Sequence, residues 1–247
     1  MKAYLFYFAL AISPTFLAVP TAAAPRPRTT IEDAMEVIDE MAALREKGVA
    51  PALLRDADAV VIAPDVIKGG FVVAARHGHG VLLLRDKDGV WGNPIFVTIT
   101  GGSLGFQVGV QATDLFLVIR NRKSLDRIFS GGGKVTLGAD ASIAAGPLGR
   151  QASAATDAQL RAEILSYSRS RGIFAGVALE GDGLSINAEA NERFYGKRDI
   201  TVTEILTGKA VVPESALQLR EKLSRWPVAK SETGPSLPTR LGEPHTP

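Results

Sequence analysis

The fold is decided by Gly131-Gly-Gly-Lys-Val-Thr-Leu-Gly138, Ser142-Ile-Ala-Ala-Gly-Pro-Leu-Gly-Arg150 and Ser166-Tyr-Ser-Arg-Ser-Arg-Gly-Ile-Phe-Ala-Gly176. Long helices are excluded here because each interior glycine costs a helix about 1 kcal/mol relative to alanine. Glycine does permit bulges, sharp bends and the close approach of neighbouring strands. These segments therefore predict the glycine-rich part of a β-sheet, either open or closed into a barrel.

Segments on the N-terminal side continue the β pattern. Short apolar runs predict strands at residues 59–63, 71–76, 80–85, 91–100, 104–110 and 114–119. His77-Gly78-His79 is interpreted as a turn between two of these strands, and Pro64 as the end of the first strand. Asp88-Gly89 is typical of a tight hairpin turn, because glycine adopts positive φ at no steric cost.

Helical patterns lie near both ends of the chain. From Thr30 onward, apolar residues such as Ile31 and Ile38 recur at helical spacing. The opposite face of this helix is acidic, so we expect it to pack on the core; the alternative, a membrane-surface helix, would carry Lys and Arg there. Residues 213–226 predict another helix. The predicted class is α+β, with a glycine-rich, mostly antiparallel sheet flanked by N- and C-terminal helices.

The chain is expected to contain three parts: a signal peptide at 1–23, one domain at 30–226, and a Pro-rich tail at 227–247. Lys2 precedes an apolar run that ends in small residues, as is typical of a cleaved signal peptide; a retained membrane anchor is the alternative. This predicts an exported protein, periplasmic or secreted, peripheral to the envelope membrane. The tail is predicted to be disordered because it is polar and rich in proline.

Composition and motif spacing argue against several kinds of chemistry. The chain has no cysteine, which excludes thiolate catalysis and cysteine zinc sites, and its net charge of +2 gives no case for binding nucleic acid. Gly131-Gly-Gly-Lys134 lacks the spacing of a phosphate-binding loop. His77 and His79 have no further ligands at metal-binding spacing, so an exposed hairpin tip is the favoured interpretation of that pair. We predict no enzymatic activity, no metal and no cofactor.

Cationic residues beside glycines are the remaining polar signal. Arg169 and Arg171 alternate with serines, so in a strand they project to one face together with Tyr167. Cations next to exposed backbone amides make a candidate site for an anion or a lipid headgroup. The candidate lipid-binding residues are Lys68, Arg76, Arg150, Tyr167, Arg169 and Arg171. The alternative is that these cations are ordinary solvated strand ends.

Ordered motifs along residues 31–226 resemble a known family. They are Lys68-Gly-Gly-Phe71, Gly78-His-Gly80, Trp91 followed by Pro94, Thr113-Asp114, Gly132-Gly-Lys-Val-Thr-Leu-Gly138, Ala144-Ala-Gly-Pro-Leu-Gly-Arg150, Tyr167-Ser-Arg-Ser-Arg-Gly-Ile-Phe-Ala-Gly176, Leu179-Glu-Gly181 and Phe194-Tyr-Gly196. Together they resemble the SYLF domain, a lipid-binding module of bacterial envelope proteins and of eukaryotic proteins linked to phosphoinositides and actin.

The resemblance implies binding of phospholipid or a membrane surface without catalysis. The alternative function is an envelope scaffold or protein-interaction module with no specific lipid ligand. Eukaryotic relatives are thought to engage phosphoinositides partly through an amphipathic N-terminal helix, and the acidic face of the corresponding helix here departs from that pattern. Together with the predicted signal peptide, this departure argues against phosphoinositides or actin as partners.

Overall fold

The computed structural model describes residues 27–43, 54, 57–70, 73–104, 109–130, 132–147, 156–170 and 173–226. The strands are β1 Ala59–Gly70, β2 Val73–Leu84, β3 Ile95–Leu104, β4 Gly109–Ile119, β5 Lys134–Thr136, β6 Ile143–Ala145, β7 Ile164–Ser170, β8 Ile173–Gly176 and β9 Gly183–Ile186. The helices are α1 Pro27–Ala43, α2 Arg122–Ser130, α3 Asp157–Arg161, α4 Ala188–Tyr195, α5 Val202–Leu206 and α6 Glu214–Ser224. Arg150, Arg171 and the predicted signal peptide and tail lie outside the described residues.

All of these strands belong to one sheet, in the order β5-β9-β3-β2-β1-β4-β7-β6, with β8 also paired to β7. The pairs are antiparallel except for the parallel pair of β6 and β7. The predicted α+β class is therefore confirmed. β5 and β6 stand at opposite ends of the order, and no pair of described strands joins them, so the sheet is open rather than closed into a barrel.

The first two strands are longer than the sequence predicts. β2 runs without interruption through His77-Gly78-His79, the segment predicted to be a turn. A Cβ on Gly80 would overlap the carbonyl oxygen of Ile62, so this glycine serves the close approach of β1. β1 continues past Pro64 through a bulge between Ile62 and Ile67. Packing between strands that are distant in sequence decides both the length of β1 and that of β2, and local turn propensity carries no information about such packing.

Helices cover one face of the sheet. Phe96 of β3 contacts the ring of Phe194 in α4, with centroids 4.9 Å apart, and Phe116 of β4 stacks on Trp226 at 6.3 Å. α1 buries an apolar stripe against the same core: Ile31, Ala34, Val37, Ile38 and Met41. The N-terminal helix thus packs on the core, as its pattern predicts. None of the described helices is long and apolar enough to cross a membrane.

The long strands β1 to β4 give the sheet two ends. We call the end formed by residues 67–70, 73–77, 100–104 and 109–113 the sheet tip. The opposite end, where β1 begins, β2 ends, β3 begins and β4 ends, is the sheet base. All of the cationic candidates that the structure describes lie on strands at or near the sheet tip.

Candidate interaction surface

The structure separates the described cationic candidates between the two faces of the sheet. Lys68 pairs with Arg76 in the register of β1 and β2, so these two side chains share a face. Lys68 also pairs with Gln111, whereas Arg169 pairs with Asp114. Residues 111 and 114 of one strand point to opposite faces, so Arg169 lies on the helix-covered face and Lys68 on the other. The structure therefore brings Lys68 and Arg76 together but places Arg169 on the opposite face of the sheet.

Arg76 is engaged inside the protein. It forms a salt bridge with Asp182, a carboxylate that is 3% exposed. Gly101 lies opposite Arg76 in the register, and a Cβ at that position would overlap Oδ1 of Asp182. Burial raises the pKa of Asp182, while the charges of Arg76 and then Lys68 act to lower it. Arg76 thus compensates a buried charge, and glycine at 101 leaves room for the pair.

Arg169 links the sheet to α1. Its Nε donates to Oδ2 of Asp114 at 2.8 Å, and its guanidinium also pairs with Glu40 of α1. Asp114 accepts a second hydrogen bond, from the backbone N–H of Asp65 at 3.0 Å. Asp65 occupies the β1 bulge with a φ of +46°, and this hydrogen bond helps to hold that conformation.

Carboxylates outnumber cations along this contact. Burial, followed by the charges of Asp65 and Glu36, raises the pKa of Asp33 in α1. Burial likewise raises the pKa of Asp114, and the charges of Asp65 and Glu36 add to the effect. The contact between α1 and the sheet therefore carries electrostatic repulsion at neutral pH.

Tyr167 lies in the core of the sheet. Its side chain is fully buried, its ring centroid is 6.4 Å from that of Phe174, and a Cβ on Gly146 would overlap its ring. Within the described part of the chain its hydroxyl has no hydrogen-bond partner, and burial raises its pKa. No observation tests whether any of the six predicted residues contacts lipid, so that role stays a prediction.

The two histidines also differ from their interpretation as a hairpin tip. They lie within β2, with their rings 4.9 Å apart in an edge-on arrangement, and His79 Nδ1 is 3.3 Å from Oγ1 of Thr98. Burial lowers the pKa of His79, and the neighbouring His77 adds to the effect. No group of three or more His, Cys, Asp or Glu side chains among the described residues could hold a metal ion.

An exposed apolar surface at the sheet tip was not predicted from the sequence. Val110 is 81% exposed and Ile67 is 52% exposed, and the adjacent Ala75 and Ala112 are exposed as well. Ile67 pairs with Ala112, while Gly69 pairs with both Val110 and Ala75, so all four side chains share the helix-covered face, beyond the reach of the helices. We call Ile67, Ala75, Val110 and Ala112 the apolar tip patch. The alternation of apolar and polar residues in β4 is compatible with such a surface, but alternation alone does not show which face of a strand meets solvent.

Comparison with known proteins identifies the class to which this mixed α+β domain belongs. A family model described as "Ysc84: Las17-binding protein actin regulator" matches residues 100–226, more than half of the chain. The chain belongs to this family, the SYLF family that its motifs predict. No solved structure matches the chain significantly.

Curated relatives support the same membership. SH3 domain-containing YSC84-like protein 1 of Xenopus laevis is 38% identical over 181 residues, covering 73% of this chain and 53% of that protein. Protein YSC84 of Saccharomyces cerevisiae is 41% identical over 170 residues, 68% of this chain and 36% of that protein. LAS seventeen-binding protein 3 of the same yeast is 39% identical over 167 residues, with 67% and 36% covered. The chain thus spans about half or less of these relatives; two of the three names describe an SH3-containing and a binding protein, and none describes an enzyme.

Proposed function

We propose that this chain is a non-catalytic protein-interaction module that binds a partner of the actin-regulatory kind through the apolar tip patch. The observation that carries the proposal is the exposure of Val110 and Ile67, diagonal neighbours on adjacent strands, on one face of the sheet tip. Contiguous exposed apolar surface is typical of an interaction site, whereas single exposed apolar residues are common and need no explanation. The family description and the relatives' names supply the class of partner.

The composition of the patch suits a protein partner. Ala75, Ala112 and the intervening Gly69 are small, so two larger side chains rise from an otherwise flat surface. Burying apolar surface on a partner contributes about 25 cal/mol per Å². Arg169, a cation on this face, already pairs with Asp114 and Glu40, so it places little uncompensated charge beside the patch.

The test measures binding of the full chain to actin filaments by co-sedimentation and to purified Las17 by interferometry. We expect binding to at least one of them, and a loss of about tenfold or more in the Val110→Asp variant, because a charge at the centre of an apolar interface remains desolvated and unpaired. Val211→Asp is the matched control, because Val211 is 84% exposed before α6 and lies outside the patch. Failure to bind either protein, or equal losses in both variants, would overturn the proposal.

Binding of phospholipid is the second candidate function, and one observation favours it. Apolar side chains are exposed on both faces at the tip: Val110 and Ile67 on one face, and Ile173 of β8, 71% exposed, on the other. Such a tip suits end-on insertion into a bilayer, with Lys68 at the headgroup level. Pelleting with phosphatidylcholine–phosphatidylserine vesicles tests it: retention lost in Ile173→Asp supports lipid binding, and no retention at low salt rejects it.

Export and location at the envelope membrane belong with the phospholipid candidate, since an exported protein would not meet actin filaments inside the cell. They rest on the signal-peptide pattern of residues 1–23 in the sequence. Fractionation of cells that express the full chain tests them: processed protein outside the cytoplasm is the expected result, and unprocessed cytoplasmic protein would contradict it.

A further inference from the structure

A cleft of about 400 Å³ lies at the sheet base, at the opposite end of the long strands from the apolar tip patch. It is bounded by the connection between β2 and β3, the start of α2, the end of α5 and one turn of α6. Six of its lining residues carry the argument: Arg85, Val90, Trp91, Arg122, Leu206 and Arg220. We call this the arginine cleft.

Neutral oxygen atoms hold Arg220 in place. Arg220 donates from Nε to the carbonyl of Trp91 at 2.8 Å and from Nη1 to Oδ1 of Asn93 at 3.0 Å. Asn93 is itself fixed, because its Nδ2 donates to the carbonyl of Ile205 at 3.0 Å. Carbonyl and amide oxygens orient a guanidinium but do not cancel its charge. Among the described residues no carboxylate forms an ion pair with Arg220, so its guanidinium presents an oriented positive charge to the cleft.

Arg122 contributes a second charge at the rim. Its Nη2 donates to the carbonyl of Arg85 at 2.9 Å, while its Nε is 3.7 Å from Oδ1 of Asp58. About half of the Arg122 side chain and a third of the Asp58 side chain are exposed, so solvent screens this long ion pair. An incoming carboxylate can therefore compete for the Arg122 guanidinium.

Arg85 is positioned by both backbone and ring. It donates to the carbonyls of Gly89 and Leu54, at 3.2 and 3.1 Å, and its guanidinium lies 5.6 Å from the ring centre of Trp91. The lining includes one carboxylate, that of Asp86, and its Oδ1 accepts the backbone N–H groups of Asp88 and Val90. The described lining thus carries more positive than negative charge.

Apolar side chains stand beside these charges. Val90 and Leu206 are 49% and 36% exposed, and Trp91 lines the same cleft. A ligand that fills the cleft must therefore offer both an anion and an apolar group a few ångströms away. Guanidinium groups bind carboxylates bidentately, which fixes the orientation of the ligand as well as its charge.

We propose that the arginine cleft binds an acidic peptide segment of a protein partner, with a carboxylate on the arginines and an adjacent apolar side chain between Val90 and Leu206. A recess of this volume accommodates one or two side chains, whereas a flat bilayer meets only its rim. This site is additional to the apolar tip patch and independent of it, because the two lie at opposite ends of the sheet.

The experiment uses the full chain and a fluorescein-labelled synthetic peptide of alternating glutamate and leucine, followed by fluorescence anisotropy at low ionic strength. We expect saturable binding that weakens with added salt, and no binding of the matching lysine–leucine peptide. Arg122→Glu and Arg220→Gln should each weaken binding by about tenfold or more. Arg122→Glu keeps the test informative if Arg220→Gln unfolds, because the Arg122 side chain is half exposed.

Lys123→Glu is the matched control. Lys123 neighbours Arg122 in α2, is exposed and does not line the cleft, so it makes the same change of charge one position away. We expect Lys123→Glu to leave peptide affinity within about twofold, because the exposed charge is screened. Equal losses in the two variants, or absence of peptide binding, would overturn the proposal.

A membrane ligand would give a different pattern. Retention on phosphatidylserine vesicles that Arg122→Glu abolishes, with no binding of the glutamate peptide, would assign the cleft to anionic headgroups and overturn the peptide proposal. The tip variant Val110→Asp should still bind the glutamate peptide. Failure of the cleft proposal is thereby distinguishable from failure of the proposed tip function.

Discussion

The two ends of the sheet use arginine in opposite ways. At the tip, Arg76 pairs with Asp182, and Arg169 pairs with Asp114 and Glu40. Carboxylates of the protein itself therefore compensate both charges. At the base, carbonyl and amide oxygens hold Arg220, and no carboxylate of the described residues pairs with it. The apolar tip patch consists of exposed apolar side chains, whereas the arginine cleft combines apolar side chains with arginines. The residues that pair with an arginine, rather than its position on a strand, therefore decide whether its guanidinium is available to bind a ligand.

The largest expected effect follows from removing a cation at the tip. Arg76→Ala leaves the carboxylate of Asp182, 4% exposed in its side chain, without its cation, and should lower the free energy of unfolding by about 3 to 5 kcal/mol. Arg122→Ala at the base should cost at most about 1 kcal/mol, because its ion pair is exposed and long. Urea unfolding of both variants checks the contrast. Similar losses would remove the distinction between the two ends.

Two adjacent glycines of β3 test the geometry of the same ion pair. Gly101→Ala places a Cβ against Asp182, whereas the nearest atom to a Cβ on Gly102 is the Ala74 carbonyl oxygen at 3.9 Å. We expect Gly101→Ala to destabilise the protein by about 1 to 3 kcal/mol, as overpacking does. Gly102→Ala should change stability by less than about 0.5 kcal/mol, as is usual where no special feature is touched. Thermal unfolding of the pair measures the difference, and equal effects would contradict the account.

The acidic contact between α1 and the sheet predicts a dependence on pH. Because the pKa of Asp33 is raised in the folded state, that state binds more protons than the unfolded chain, and stability falls as pH rises through the raised pKa. Asp33→Asn should therefore raise Tm at pH 7 by about 1 to 2 °C and have no effect below the ordinary pKa of about 4. Calorimetry at pH 3.5 and 7 is the measurement. A lower Tm at pH 7 would show that Asp33 makes a stabilising contact instead.

The smallest expected effect concerns Tyr167. Its buried hydroxyl has no hydrogen-bond partner among the described residues, so Tyr167→Phe removes an unsatisfied polar group. We expect stability to stay the same or to rise by up to about 1 kcal/mol in urea unfolding. A loss above about 1 kcal/mol would instead reveal a hydrogen bond, since that is its typical net contribution.

Local sequence patterns were sufficient for much of the fold. The acidic, amphipathic N-terminal helix packs on the core, and Asp88-Gly89 does form a turn, with Gly89 at a φ of +82°. Tyr167 and Arg169 do share one face, since their strand partners Phe116 and Asp114 are two residues apart. Each of these outcomes depends on residues close together in the chain, which is why periodicity and turn chemistry could predict them.

What the sequence could not provide was the identity of distant partners. Arg76 and Asp182 are 106 residues apart, and Arg220 and Trp91 are 129 apart, so no spacing relates them. The same limit explains the error at His77-Gly78-His79, where glycine is needed for close packing against β1 and not for a turn. Glycine and arginine patterns located the right strands. They did not show whether a ligand or the protein's own side chains would contact those residues.

The proposed function assigns contact with the protein partner to the apolar tip patch. Hydroxyl-radical footprinting of the full chain, alone and bound to Las17 or actin filaments, tests it most directly. We expect oxidation of Val110 and Ile67 to fall on binding, while that of Val211, which is as exposed as Val110 but lies outside the patch, does not change. Unchanged oxidation at the tip in a saturated complex, or equal protection of Val211, would contradict it.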